Sequence, residues 1–288
     1  FANATGSNSM AIQITGDGLD KWIELTDEPN FIDLPLEEMK KRIGEAGICG
    51  MGGAGFPTLV KLSPPDDKPI DTVILNGVEC EPYLTSDHRL MLEKTAEIVL
   101  GMKLIMKILG AQKGMIGIEA NKPDAIAKMQ EITKNEPAIE VVPLQLRYPQ
   151  GAEKQLIYAA TKRKVPAGGL PMAVGVVVQN VATAFAIYEA IRYQKPLVQR
   201  VITVTGSPVV SPKNIMARIG TPLSELIEFC GGTSEEVGKV ICGGPMMGIA
   251  LPSLEATIGK GSGGLVLLNK KAASLNEEGN CLRCARCV

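Results

Sequence analysis

Apolar positions along the middle of the chain switch between two periods. Short runs rich in β-branched residues, each bounded by polar residues, recur at 72–76, 115–119, 139–144 and 174–179, and they read as strands buried on both faces. Between them, apolar residues spaced three and four apart predict helices at 35–46, 89–109, 123–135, 151–161 and 181–192. This alternation predicts an α/β fold built on a Rossmann-like parallel sheet. In such sheets ligands bind beyond the carboxyl ends of the strands. Polar clusters follow those ends here: Asn76, Glu79 and Glu81; Tyr148, Gly151 and Glu153; and Gln179, Asn180 and Thr183. Taken singly, each cluster is equally well explained as a cap or a turn.

The pattern also divides the chain. A short alternating strand is expected at 10–15, so that 1–28 reads as the tail of a truncated preceding domain, followed by the α/β domain over 29–197. Lys195-Pro196 marks a boundary. Beyond it the rhythm changes to short strands at 200–205, 239–242 and 265–268, with a helix opened by Thr221-Pro222 and ended by Gly231-Gly232. That suits a small β-grasp domain over 198–270, leaving 271–288 as the truncated start of another unit. The chain starts at Phe1 without a signal-peptide pattern and ends inside a motif, so it reads as a piece of a longer protein. Gly259-Lys260-Gly261-Ser262 lacks phosphate-loop spacing and is expected to be a turn.

One segment fits neither period. Gly50-Met51-Gly52-Gly53-Ala54-Gly55-Phe56 concentrates glycine in a loop whose backbone N–H groups can converge on a ligand without side chains in the way. Its G-x-G-x-x-G spacing matches a dinucleotide fingerprint, but that motif needs a strand before the loop, and the preceding residues read as a helix with acids early and bases late. After the loop, Pro57 opens a helical turn carrying Lys61, which is placed to reach back over it.

Composition narrows the function. Thirty basic and 31 acidic residues without a basic run disfavour nucleic acid and direct electrostatic membrane binding, and no apolar stretch is long enough to span a bilayer. Of seven cysteines, Cys49, Cys80, Cys230 and Cys242 are scattered singly, which argues against a disulfide framework. The other three form Cys281-x-x-Cys284-x-x-Cys287, the opening of the run that ligates a [4Fe–4S] cluster; a zinc site or chance clustering is the alternative. The fourth ligand would lie beyond Val288. His88, the only histidine, reads as structural, and Cys49 and Cys80 as small buried hydrophobes. A hydrolytic pairing of Glu79 with Glu81 has no other support in the sequence.

Four segments together carry a resemblance. Gly50 to Thr58 with Lys61, Leu75-Asn76-Gly77-Val78-Glu79-Cys80-Glu81-Pro82, Tyr148-Pro149-Gln150-Gly151-Ala152-Glu153 and Gln179-Asn180-Val181-Ala182-Thr183 resemble, in order, the FMN- and NADH-binding flavoprotein subunits of respiratory complex I. Within that superfamily, Lys61-Leu62-Ser63-Pro64-Pro65 and Ser86-Asp87-His88-Arg89-Leu90-Met91 resemble the RnfC family, peripheral components of the Rnf ion-translocating ferredoxin:NAD oxidoreductases. The resemblance covers essentially the whole chain. It implies the end of an N-terminal barrel-sandwich domain over 1–28, an FMN/NADH domain, an SLBB β-grasp domain and the start of a two-cluster ferredoxin-like domain. Gly50, Gly52, Gly53, Ala54, Gly55, Phe56 and Lys61 would hold FMN, with Asn76, Gly151, Gln179, Asn180 and Thr183 around it. Glu79, Glu81, Tyr148 and Glu153 would lie near flavin and nicotinamide.

The implied activity is exchange of electrons between NAD(H), bound FMN and [4Fe–4S] clusters ligated in part by Cys281, Cys284 and Cys287. The implied setting is peripheral, on the cytoplasmic face of a membrane, with the other subunits of a translocating complex and a ferredoxin-type carrier as partners. Two alternatives remain: a soluble cobalamin-reductase-like flavoprotein, and a non-catalytic docking subunit of a quinone reductase. The sequence departs from the complex I pattern at Met51 (Arg there), Val78 (an acid) and Ala152 (a second Glu).

Overall fold

The computed structural model describes residues 10, 12, 14–19, 21–274 and 283. Cys281, Cys284 and Cys287 lie outside them. Strands β1 (Thr72–Gly77), β2 (Lys113–Glu119), β3 (Ile139–Leu144) and β4 (Val176–Asn180) form one sheet in the order β3-β2-β1-β4. All its pairings are parallel, so every carboxyl end faces one edge. The helices on its faces are α1 (Leu36–Glu45), α2 (Thr58–Lys61), α3 (Ser86–Glu93), α4 (Thr95–Leu109), α5 (Pro123–Thr133), α6 (Glu153–Thr161) and α7 (Val181–Tyr193).

Two apolar layers account for the unbroken hydrophobicity of these strands. On one face Val73, Leu75 and Val177 pack with Ile43 of α1, Ile105 of α4 and Ile187 of α7. On the other, Ile74, Met115 and Val178 pack with Leu156 and Ile157 of α6. Helices α4 and α7 come into close contact at Gly101, where a Cβ would lie 2.0 Å from the Ala184 carbonyl oxygen.

The second unit is a mixed sheet, β6-β5-β9-β7-β8, made of β5 (Gln199–Thr205), β6 (Lys213–Arg218), β7 (Val237–Cys242), β8 (Ile249–Leu251) and β9 (Gly264–Asn269). Within it β5 runs parallel to β9 and the other pairings are antiparallel. Helix α8 (Leu223–Phe229) covers it through Leu223, Leu226 and Ile227, which pack on Ile202, Val204, Leu265 and Leu267. A short α9 (Lys270–Ala273) follows β9.

Three expectations need correction. The helix expected at 89–109 is two helices, broken at Lys94 (φ −126°, ψ 34°). The Thr95 hydroxyl donates back to the Met91 carbonyl, the kind of local bond that competes with helix propagation, and it leaves the apolar spacing almost unchanged. Val174 belongs to a 3₁₀ turn (Pro171–Val174) rather than to β4. At 10–15, the described residues Met10, Ile12, Ile14 and Thr15 are exposed and in no strand, while residues 11 and 13 lie outside the described ones.

Candidate functional site

The glycine segment is a loop with a closed neck. Thr58 N–H donates to the Ile48 carbonyl (3.1 Å) and Gly50 N–H to the Phe56 carbonyl (2.8 Å), which leaves 51–55 as a tip. Gly53 (φ 127°) and Gly55 (φ 63°) occupy backbone regions that L side chains avoid. The tip lies against the carboxyl edge of the parallel sheet. Met51 N–H donates to Thr183 Oγ1 (2.9 Å), and a Cβ on Gly52 would stand 3.3 Å from that of Asn180.

Around that edge the three polar clusters converge. Lys61 Nζ reaches Glu153 Oε1 (2.8 Å) and the Val178 carbonyl (3.1 Å), joining α2, the first turn of α6 and the end of β4. Asn76 Nδ2 donates to the Gly151 carbonyl (2.9 Å). Asn180 Oδ1 caps α7 by accepting from Ala182 N–H (2.8 Å), while Asn180 Nδ2 donates to Asp87 Oδ2 (2.6 Å). Tyr148 and Phe56 are exposed beside this edge, and the charge of Glu81 helps burial raise the Tyr148 hydroxyl.

The two acids of 79–81 do different work from an acid pair. Glu79, held at φ 49°, accepts from the backbone N–H groups of Asp87 (2.7 Å) and His88 (3.0 Å). It therefore caps α3 from outside the helix, whereas Thr85, at the N-cap position, makes no side-chain capping bond. Burial, then the charge of Asp87, pushes the Glu79 carboxyl up to about 7 against those bonds and the nearby Lys122. Glu81 turns to the second sheet, accepting from Met246 N–H (2.9 Å) and Met247 N–H (2.8 Å). His88 makes a surface contact with Asp124 (2.8 Å).

Sequence reasoning misses Asp87, Lys122 and Arg200. Burial beside Glu79 raises the Asp87 carboxyl, which Asn180 holds. Lys122 is buried, with Nζ donating to the Val78 carbonyl (2.9 Å) and lying 3.4 Å from Glu119 Oε2. Arg200 enters from β5. A strand-end position is the available signal for Lys122; nothing near Arg200 in the sequence points to the loop.

The geometry suits a flat, polar ligand carrying a phosphate. Side chains leave the loop tip bare, the N-terminus of α7 and Lys61 offer positive potential, and, Glu119 Oε1 at the end of β2 aside, two buried polar atoms lack partners among the described residues. These are Gln179 Nε2, on a residue 2% exposed at the end of β4, and Thr58 Oγ1 at the start of α2. Gln179 shares its sheet face with Val177, which packs in one cluster with Ile48 and Met51 of the loop, so its orphan donor lies on the loop's side of the sheet. Met51 and Val78 themselves are buried in apolar clusters, on opposite faces of the sheet. Burial raises the Cys49 and Cys80 thiols. The described residues hold no cluster of His, Cys, Asp and Glu suited to a metal and no helix long and apolar enough to cross a membrane.

Comparison with known proteins adds a family. The sequence model of the Nuo51 FMN-binding domain matches residues 43–189, and that of the SLBB domain residues 201–250. The chain is 50% identical over 280 residues to the C component of the proton-translocating ferredoxin:NAD(+) oxidoreductase complex of Clostridium ljungdahlii, covering 97% of this chain and 61% of that protein. It is 46% identical over 288 residues to the C component of the Na(+)-translocating ferredoxin:NAD(+) oxidoreductase complex of Acetobacterium woodii, covering 99% of this chain and 65% of that protein. The chain thus spans under two thirds of the length of these relatives. Among solved structures, an NAD+-reducing [NiFe]-hydrogenase in the H2-reduced state shares the fold with a TM-score of 0.69 at 22% identity, over 82% of this chain and 47% of that one.

Proposed function

Because this chain belongs to the Nuo51 FMN-binding domain family, we propose that it holds FMN under the glycine loop and serves as an electron-transfer subunit of an ion-translocating ferredoxin:NAD oxidoreductase. One observation supports this above the rest: the bare loop tip is bonded at Met51 to Thr183 and packed at Gly52 on Asn180, over a strand end where Gln179 presents a buried donor without a partner. That is a cradle closed by its own backbone but incomplete in its polar pairing.

Gly50, Gly52, Gly53, Ala54, Gly55 and Phe56 would line the flavin, with Lys61 supplying positive charge, and Asn76, Gly151, Gln179, Asn180 and Thr183 fixing orientation. When bound, FMN exchanges two electrons as hydride with NAD(H) and passes them on singly. The protein's own part is to bind and orient. Asn180 and Thr183 hold the loop at its distance from the sheet, and Lys61 is steadied by Glu153. Glu79 and Glu81, whose carboxyls are both engaged with backbone N–H groups, would lie near flavin and nicotinamide. Tyr148 and the exposed Phe56 would border the nicotinamide.

Cys281, Cys284 and Cys287, with the spacing of a cluster-binding run, would supply part of the ligand set of a [4Fe–4S] cluster, a one-electron acceptor. The partners would be the other subunits of the complex and, through them, a ferredoxin-type carrier, with the chain seated peripherally on the cytoplasmic side of the membrane. The direct test loads the chain with FMN and titrates it with NADH under anaerobic conditions. The flavin absorbance is expected to bleach; a loaded sample that stays oxidised in excess NADH would sink the proposal.

A further inference from the structure

We propose that Arg200, supplied by the β-grasp domain, is a positioning residue of the flavin site, pinning the glycine loop from outside so that its tip keeps the shape that receives FMN. This rests on the FMN reading above and gives the β-grasp domain a part in shaping the site. Arg200 lies on β5 and is 3% exposed. Among the described residues its side chain donates to carbonyl oxygens: Nε to Val201 (3.2 Å), one terminal nitrogen to Lys260, and the other to Met51 (3.3 Å).

Met51 is therefore held at both ends of its residue. Thr183 of the FMN domain takes its N–H, and Arg200 of the β-grasp domain takes its C=O. Two further contacts come from the turn that carries Lys260. Lys260 Nζ donates to the Gly47 carbonyl at the base of the loop (2.7 Å), and a Cβ on Gly261 would lie 3.1 Å from the Gly53 carbonyl oxygen at its tip. The second domain thus touches the loop at its base, its shoulder and its tip.

A buried guanidinium is costly to desolvate, and packing alone would be served as well by an apolar side chain of similar size. What such a side chain cannot supply is a planar fork that joins Met51 to the Lys260 turn. Burial lowers the Arg200 pKa, opposed by the negative charge of Asp87, which itself holds Asn180 against the inner side of the loop. The loop is gripped between these two sides.

The test uses the full chain as wild type, Arg200→Met, Arg200→Gln, Arg200→Lys and Lys260→Met. FMN affinity is read by fluorescence quenching, loop order by amide hydrogen exchange over 47–57, and fold by exchange in β1 and β2. Loss of a hydrogen bond from a charged donor predicts an FMN dissociation constant raised about tenfold or more in Arg200→Met. Exchange over 47–57 is expected to be faster with β1 and β2 unchanged, with partial rescue in Arg200→Lys and a smaller effect in Lys260→Met. A folded Arg200→Met with wild-type exchange in the loop and wild-type FMN affinity would overturn the proposal. If Arg200→Met does not fold, wild-type values for both readouts in a folded Arg200→Gln overturn it instead. A wild-type chain that takes up no FMN ends the flavin reading, and loop exchange then judges the brace alone.

Discussion

Asn180 donates to Asp87 across 2.6 Å while its own oxygen caps α7, so one side chain ties the N-terminus of α7 to α3 directly beneath Gly52. Removing a cap of this kind costs about 1 kcal/mol, and leaving Asp87 without its donor adds to that. Asn180→Ala is expected to lower stability by about 1–3 kcal/mol in urea titrations and to weaken FMN binding. Asn180→Asp keeps the cap but sets a second carboxylate against Asp87; it should hold α7 yet bind FMN worse as pH rises. A variant Asn180→Asp with wild-type affinity at all pH values would remove Asn180 from the site.

Lys61 and Glu153 separate binding from stability. Their ion pair is partly exposed, so by itself it contributes roughly 0–1 kcal/mol to folding. In the proposed flavin site the same ammonium would meet the phosphate. Lys61→Met should therefore shift the urea midpoint little while raising the FMN dissociation constant by about tenfold or more. Equal losses in both would mean that Lys61 is only a brace.

The Glu79–Asp87 pair predicts a pH dependence of stability. The folded value of Glu79, about 7, lies above its ordinary 4.5. Its stabilising contribution is then complete below pH 4.5 and is lost as pH rises through about 7, because the folded state holds the proton more tightly. Asp87 is shifted in the same direction. Chemical denaturation should show the wild type weakening between about pH 5 and 8, with a flatter profile in Glu79→Gln. An unaltered slope in Glu79→Gln would show that other groups produce it.

Helix α4 offers a test of the core. Replacing a helical glycine by alanine normally favours the helix by about 1 kcal/mol. At Gly101 the added Cβ would lie 2.0 Å from the Ala184 carbonyl oxygen, and such overpacking costs about 1–3 kcal/mol or more. Gly101→Ala is expected to destabilise, by differential scanning calorimetry; a raised melting temperature would show that α4 and α7 can move apart freely.

Much of this arrangement is legible in the sequence, for a physical reason. Buried parallel strands must be apolar throughout, and their polar residues can appear only where the strand ends, so Asn76, Gln179 and Asn180 announce the sheet edge. The glycine loop is legible because few other uses exist for so many bare backbone positions. Contacts set by tertiary packing are not. The cap of α3 comes from Glu79, upstream of any local capping pattern, and the break at Lys94 leaves the apolar period almost intact. Gly259 to Ser262 reads as a turn, but no local pattern tells that Lys260 reaches Gly47 or that Arg200 grasps Met51. Those contacts exist only once the two sheets are docked.

The most direct measurement of the central claim is a titration of FMN with the purified chain, following the flavin's fluorescence, alongside Gly53→Ala. Gly53 has open space around it, so alanine there tests only the backbone at φ 127°, a strain of about 1–2 kcal/mol placed in the loop tip. The account predicts saturable quenching at one flavin per chain and clearly weaker binding in Gly53→Ala. Flavin that stays fully fluorescent with the folded wild-type chain, or binds Gly53→Ala equally well, would contradict it.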